Sequence, residues 1–398
     1  MKTIYLDNNA TTKVDEKVLE KMIPFFCERY GNPSSMHEFG GLVGDEIQQA
    51  REEVKELFGA ADSKEIFFTA SGSESCNMAI RGVLNANKDK KHIITTKIEH
   101  PAVLNLYKLL EKLDYKVTYL NVNNRGELDF QQLEDSVNED TALVSCMWAN
   151  NETGIVFPVE KVAQTVKRIN PKTKIFVDAV QAAGKIPMNV KDTMIDLVAV
   201  SGHKFHAPKG VGALYVKSGT LITPLVVGGH QEKGKRAGTE NVSGIVGLGE
   251  AARLALENME YETNVVKNLR DKLENGILST VSNARLNSVN KNRVPNTTNI
   301  AFEYIEGELI LLHLSDLGIA ASSGSACTSG SLEPSHVLKA MGVPFTALHG
   351  SIRFSLSRFT TEEEIDYTID AVQKVIKKLA EISPYQKELA ELRNKRNL

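Results

Sequence analysis

Short apolar segments alternate with amphipathic helical patterns between residues 65 and 216, and this alternation constrains the fold more than any other feature. The predicted strands are Glu65–Thr69, His92–Thr96, Lys116–Leu120, Ala142–Trp148, Lys174–Val177, Leu197–Val200 and Ala213–Val216. The predicted helices between them are Ser73–Asn85, Ala102–Leu113, Asp129–Val137 and Val159–Ile169. Strands that alternate with helices favour a mostly parallel sheet covered on both faces, so we expect an α/β fold.

Further helical and strand patterns flank this region. The helical patterns are Lys13–Tyr30, Asp45–Phe58, Gly249 to about Met259, Val265–Leu278, Glu308–Leu314 and Glu362–Ile382, and the strand patterns are Asn299–Phe302 and Ser351–Ser357. A chain of 398 residues with 42% hydrophobic composition can bury one large core and one smaller core. We predict a large domain at residues 15–258 and a smaller α+β domain built from residues 1–14 and 259–398.

Composition excludes several classes of function. The formal net charge of -3 argues against a nucleic-acid partner. No apolar run approaches the length of a membrane span, and the N-terminus lacks the apolar region of a secretory signal. The cysteines are scattered without metal-ligand spacing, which is typical of a reducing compartment and predicts no resident metal. We therefore expect a cytoplasmic protein.

One predicted strand ends in a lysine. The apolar run at residues 198–200 stops at Ser201-Gly202-His203-Lys204. Ligands of α/β proteins bind at the carboxyl edge of the sheet, and lysine forms Schiff bases with carbonyl cofactors. The alternative is a surface lysine that follows a strand.

Other strand ends carry complementary polar residues. The turn at residues 70–75 is rich in serine and glycine and opens a helix, which suits a phosphate. His100, Asp178 and Gln181 follow two further strands, although each has an ordinary structural interpretation as a hydrogen-bonded histidine or a helix cap. A phosphate site, an aromatic ring, a carboxylate, an amide and a lysine together match the needs of pyridoxal phosphate.

Cys327 is the predicted nucleophile. It lies in the polar segment at residues 322–331, which predicts either a linker or a mobile loop that carries a thiol into and out of a site. Cys76 competes, because a helix N-terminus lowers the pKa of a thiol. Cys27 and Cys146 are expected to pack in the core.

An arginine occurs in the last predicted strand. Ile352, Phe354 and Leu356 are expected to face one way, and Arg353 the other way with Ser355. Such an arginine either binds a carboxylate or faces solvent.

These segments resemble the cysteine desulfurases of the NifS/IscS type. The matching motifs run from Tyr5 to about Asp366 and are IYLDNNATT, FFTASGSESCNMAIRG, EHPAV, WANNETG, VDAVQAAGK, SGHKFHAPKGVGALYV, RAGTENV, SSGSACTSGSLEPSHVL and SIRFSLSRFTTEEEID. The resemblance implies a homodimeric pyridoxal 5'-phosphate enzyme of the aspartate-aminotransferase architecture (fold type I). That architecture has a large domain with a mostly parallel mixed sheet between helices and a smaller α+β domain.

The resemblance also implies roles for the cofactor residues. Lys204 would form the Schiff base, Asp178 would pair with the pyridinium nitrogen, and Gln181 would hydrogen-bond the phenolic oxygen. His100 would stack on the ring and assist proton transfer. The implied phosphate ligands are Gly72, Ser73, Ser201, His203 and, from the neighbouring subunit, Thr239. Ser73 stands where the family commonly has threonine, which keeps the hydroxyl.

The implied substrate is L-cysteine. Arg353 and Asn151 would hold its carboxylate, Asn151 also contacting the cofactor, and Arg358 is the second candidate for this role. Cys327 would take the sulfur as a persulfide, release L-alanine and deliver the sulfur to an iron–sulfur scaffold protein of the NifU/IscU kind, with only transient contact to a cluster. Ser357 stands where the family commonly has glycine, which is a small departure from the family pattern.

Two alternatives stay open at this point. Another pyridoxal-phosphate enzyme of this fold, such as an aminotransferase or a selenocysteine lyase, would not need a mobile Cys327. A non-enzymatic binding platform would not need both Lys204 and Asp178, and both are present.

Overall fold

The structure is a computed structural model that describes residues 3–289, 291–323 and 334–396. The strands of this part of the chain are β1 (Ile4–Tyr5), β2 (Ile66–Thr69), β3 (His92–Thr96), β4 (Lys116–Leu120), β5 (Thr141–Ser145), β6 (Lys174–Asp178), β7 (Leu197–Ser201), β8 (Gly212–Val216), β9 (Ala284–Leu286), β10 (Thr297–Phe302), β11 (Ile319–Ala320) and β12 (Ser351–Ser355). The α-helices are α1 (Glu16–Met22), α2 (Pro24–Cys27), α3 (Glu38–Phe58), α4 (Gly72–Ala86), α5 (Pro101–Glu111), α6 (Phe130–Ser136), α7 (Val159–Ile169), α8 (Val242–Glu257), α9 (Met259–Tyr261), α10 (Lys267–Thr280), α11 (Gly307–Asp316), α12 (His336–Ala340), α13 (Phe345–Leu348), α14 (Glu362–Ile382) and α15 (Gln386–Arg396). In these ranges, no helix is both long and apolar enough to span a bilayer.

The large sheet confirms the predicted α/β fold. Its order is β2-β8-β7-β6-β5-β3-β4, and β8 alone runs antiparallel to its two neighbours. The other neighbouring strands of this sheet are paired in parallel, so β3, β5, β6 and β7 end at the same edge. The loops that leave these four strands therefore converge, although they come from distant parts of the sequence.

Helices cover both faces of this sheet, and a second sheet has a separate core. One face packs against α3, α7 and α8, and the other packs against α4 and α5. The second sheet has the order β12-β10-β9 and shares its core with α10, α11 and α14. The division into domains at residue 258 stays a prediction.

Several predicted boundaries are wrong for identifiable reasons. The single helix predicted at Lys13–Tyr30 is two helices, because Pro24 has no N–H to continue the first. Helix α3 begins seven residues earlier than predicted, because His37 caps it by accepting the Gly40 N–H at Nδ1 over 3.1 Å. Helix α8 likewise begins at Val242, and β5 and β12 end at Ser145 and Ser355.

Candidate active site

A cavity of about 360 Å³ lies at the carboxyl edge of the large sheet. The predicted residues that line it are Gly72, Ser73, His100, Asn151, Asp178, Gln181, Ser201, His203, Lys204 and Arg353. Thr239 is exposed and lies outside this lining, and Cys327 lies outside the described residues. The fold thus brings together side chains that the sequence spreads over nearly three hundred positions.

The N-terminus of α4 forms one wall of the cavity. A Cβ on Gly72 would lie 2.9 Å from Val180 Cγ2 and 3.1 Å from Ser201 Cβ, so a larger residue would displace the wall. The N–H groups of the first helical turn and the helix dipole both favour an anion here. Ser73 and His203 line the same cavity and add polar groups. This wall fits a phosphate.

Lys204 reaches the cavity from a short turn after β7. Its Nζ donates to the carbonyl oxygens of Asn9 at 2.7 Å and Ala10 at 2.8 Å. The turn is the 3₁₀ segment Gly202–Lys204, which follows directly on the buried strand. The predicted surface-lysine alternative is wrong, because Lys204 lines the cavity.

Asp178 ends β6 and is 5% exposed. Its Oδ1 accepts the Val180 N–H at 2.9 Å, and its Oδ2 lies 4.0 Å from the Cys76 thiol, a weak donor. Burial raises the pKa of Asp178 to about 6, against the opposing effects of the Val180 N–H and the Lys204 charge. A cation bound in the cavity would stabilise the ionised carboxylate that burial disfavours.

Replacing Asp178 with asparagine should stabilise the cofactor-free protein at neutral pH. The folded-state pKa of about 6 exceeds the ordinary 3.8, so ionised Asp178 opposes folding above both values and has no effect below them. We expect Asp178→Asn to raise the free energy of unfolding by about 3 kcal/mol at pH 7.5 and to change it little near pH 3.5. Urea unfolding of both proteins at the two pH values measures the difference. An equal change in the free energy of unfolding at both pH values would contradict the electrostatic explanation.

His100 caps the N-terminus of α5. Its Nδ1 accepts the Ala102 N–H at 3.1 Å, so the neutral ring carries its proton on Nε2. Burial lowers the pKa of His100 to about 4, and the charges of Lys204 and His336 lower it further. The ring is therefore neutral at physiological pH.

Arg353 is buried although the strand pattern placed it on a polar face. It is 2% exposed, its Nη2 lies 2.6 Å from Asp7 Oδ1, and its Nη1 donates to the Asn151 carbonyl at 2.9 Å. Its Nε is also buried and has no hydrogen-bond partner among the described residues. Arg353 also lines the cavity, and a guanidinium group there suits a carboxylate ligand. Arg358 instead pairs with Asp15 at 2.6 Å and does not line the cavity.

The predicted core position of Cys27 is wrong, and Cys76 does not compete with Cys327 as an activated thiol. Cys27 is exposed, because the short helix α2 buries Phe25 instead. Burial, and then the nearby charge of Asp178, raises the pKa of the Cys76 thiol, so the helix terminus does not activate it. Cys146 is buried, which confirms its predicted core position.

The N-terminal segment after β1 completes the site, and the sequence did not identify it. Asp7 pairs with Arg353, and the backbone oxygens of Asn9 and Ala10 bind Lys204. Asn9 Nδ2 also donates to the Asn151 carbonyl at 3.1 Å. The available signal was the polar run Asp7-Asn8-Asn9, which directly follows a strand.

The structure holds both flanks of the segment 324–333, which contains the predicted sulfur acceptor, beside the cavity. Ser322 exchanges two backbone hydrogen bonds with Arg353, at 3.2 and 2.6 Å. Ser335 donates to the carboxyl group of Glu152, which directly follows a residue of the cavity wall. Ser322 and Ser335 therefore both lie near the predicted substrate site.

Comparisons with known proteins agree with this geometry. The family model for class-V aminotransferases matches residues 4–368. A cysteine desulfurase of Trichormus azollae is 56% identical over 391 residues, covering 98% of this chain and 97% of the relative. The cysteine desulfurase NifS of Azotobacter vinelandii is 53% identical over 385 residues, covering 97% and 95%.

A solved structure described as a NifS-like protein confirms the predicted fold. It matches with a TM-score of 0.89 at 42% identity and covers 95% of this chain and 100% of that one. The chain therefore belongs to the class-V aminotransferase family and, within it, to the pyridoxal-phosphate-dependent cysteine desulfurases of the NifS/IscS type.

Proposed function

We propose that this chain converts L-cysteine to L-alanine in the cavity, and that the sulfur passes first to Cys327 and then to an iron–sulfur scaffold protein. The observation that supports the proposal most is the meeting of Lys204, Asp178 and the N-terminus of α4 around one cavity. These are the three protein groups that pyridoxal phosphate needs.

The cavity residues fit this cofactor. The α4 terminus, with Ser73, Ser201 and His203, suits its phosphate, and Asp178 suits a protonated ring nitrogen. Gln181 suits its phenolic oxygen. Bound there, the cofactor supplies an electron-withdrawing ring that makes the substrate Cα proton easier to remove.

The substrate groups have candidate partners in the same cavity. The guanidinium of Arg353, which lines the cavity, suits the carboxylate of L-cysteine, and Asn151 lies beside it. The amine of Lys204 is the proposed base that moves the Cα proton, with the Asn9 and Ala10 carbonyls holding it in place. His100 carries a proton on Nε2 that it can exchange with the substrate.

The proposed sulfur transfer needs no external oxidant. The thiolate of Cys327 attacks the sulfur of the substrate, a sulfur–sulfur bond forms, and the carbon–sulfur bond breaks. The electron pair of the broken bond stays on carbon and takes up a proton, which gives the methyl group of alanine. The two sulfur atoms are thereby oxidised to a persulfide on Cys327, and the carbon is reduced.

We further propose a homodimer that acts in the cytoplasm. Thr239 is exposed and lies away from the cavity of its own chain, as a residue that contributes to the phosphate site of a neighbouring subunit would be. The scaffold protein would take the persulfide sulfur from Cys327.

Product analysis tests the function. The holoenzyme, incubated with L-cysteine and a reducing thiol, should release alanine and sulfide in equal amounts and no keto acid. Without the thiol, the peptide that contains Cys327 should gain the mass of one sulfur atom. A keto acid in place of alanine would instead identify an aminotransferase. If neither alanine nor a keto acid formed, the assignment of an enzyme would be contradicted.

A further inference from the structure

Lys185 is a buried lysine that the proposed chemistry does not use. It is 5% exposed and follows Gly184, whose positive φ of 72° lets the turn after β6 pack against Phe205. Its Nζ donates to Gln181 Oε1 at 2.5 Å and to Asn9 Oδ1 at 3.1 Å. Both acceptors are neutral amide oxygens, which is unusual for a buried lysine.

The contact does not depend on the charge of Lys185. Burial lowers the pKa of Lys185 to about 7, and the charges of Lys204 and Arg353 lower it further while that of Glu262 raises it. A neutral amine still has two hydrogens for its two acceptors. The hydrogen bonds therefore persist on both sides of neutral pH.

Two hydrogen bonds define the orientation of the Gln181 amide, and one of them comes from Lys185. Because Oε1 accepts from Lys185, the amide nitrogen must point the other way, where one of its hydrogens is donated to the Asn9 carbonyl at 2.9 Å. The second hydrogen of Gln181 Nε2 remains available as a donor, and the Gln181 side chain lines the cavity. Without Nζ, only the Asn9 carbonyl would oppose a rotation that exchanges the nitrogen and oxygen of the amide.

We propose that Lys185 is a positioning residue of the cofactor site, which orients the Gln181 amide so that its nitrogen donates to the phenolic oxygen of pyridoxal phosphate. The inference rests on the proposed function and extends it to a residue behind the cavity wall. The same Nζ also holds Asn9, whose carbonyl binds Lys204. Lys185 thus links the orientation of Gln181 to the segment that holds Lys204.

A double-mutant cycle tests this role. Lys185→Met removes the donor and keeps most of the side-chain volume, and Gln181→Met removes the amide. Titration of the cofactor-depleted full chain with pyridoxal phosphate, followed by absorbance, should show a dissociation constant about tenfold higher for each variant. If Lys185 acts through Gln181, the double variant should bind no more weakly than Gln181→Met alone.

A matched control separates positioning from stability. Lys167 is a partly buried lysine that binds Asp196 at 2.7 Å and does not line the cavity. Lys167→Met should therefore leave cofactor affinity unchanged, even where it lowers the temperature of unfolding. If Lys185→Met does not fold, Lys185→Leu also removes the donor and gives the same comparison.

Two results would overturn the inference. One is wild-type cofactor affinity in the Lys185 variant, and the other is a double variant whose loss is the full product of the two single losses. Failure of the proposed function would look different, because the wild-type chain would then bind no pyridoxal phosphate or form no alanine.

Discussion

Replacing Lys204 with alanine should lower the rate of alanine formation from L-cysteine by about 10⁴-fold. The variant loses the amine that binds the cofactor covalently and the base that moves the Cα proton. No second amine replaces it in the described part of the cavity wall, where Lys204 is the only lysine. Alanine production by the purified holoenzyme at saturating cysteine measures the loss.

Two additions make the Lys204 experiment specific. Lys209→Ala removes an exposed lysine nearby and should keep the wild-type rate. A small primary amine added to Lys204→Ala should restore part of the lost rate, because it can act as the missing base. A Lys204→Ala variant that keeps a tenth of the wild-type rate would show that another group is the base.

Replacing Cys327 with serine should abolish the persulfide and lower sulfide release by at least about 100-fold. Serine cannot accept sulfur, so the carbon–sulfur bond of the substrate loses its attacking nucleophile. The substitution does not alter the described cavity residues. L-cysteine should therefore still change the absorbance of the bound cofactor. Mass analysis of the protein and the sulfide assay give the two readouts.

Cys27→Ser is the matched control for this experiment. Cys27 is exposed, so it would take up sulfur if any accessible thiol could do so. We expect Cys27→Ser to form the persulfide at the wild-type rate. Wild-type alanine formation by Cys327→Ser would mean that the sulfur leaves by another route.

Much of the site was predictable because of how parallel sheets are built. Residues at the carboxyl ends of parallel strands meet at one edge, so the positions of His100, Asp178 and Lys204 at or after the ends of β3, β6 and β7 already implied a common site. The family resemblance then supplied chemical roles that positions alone do not give. The structure agrees with the placement of these residues, and their roles stay predictions.

Other features depended on packing that periodicity does not report. The alternation around Arg353 correctly separated two faces of β12, but the second face is also covered, by the N-terminal segment and Ser322. Burial that the sequence pattern does not report also explains the raised pKa of Cys76. A helix terminus suggested an activated thiol, and burial produced the opposite shift in its pKa.

The sequence by itself determined the α/β class, the edge of the sheet that carries the site and most of the residues there, because strand periodicity and chain direction are local properties. Only the tertiary structure placed Asp7, Asn9 and Ala10 against Arg353 and Lys204 and placed Lys185 behind Gln181. The contacts of Asp7, Asn9 and Ala10 join the N-terminal segment to residues far along the chain, and they form only when the two sheets and their helices have packed. The electrostatic character of the site follows from the same packing, because burial sets the pKa values of Asp178, His100 and Lys185.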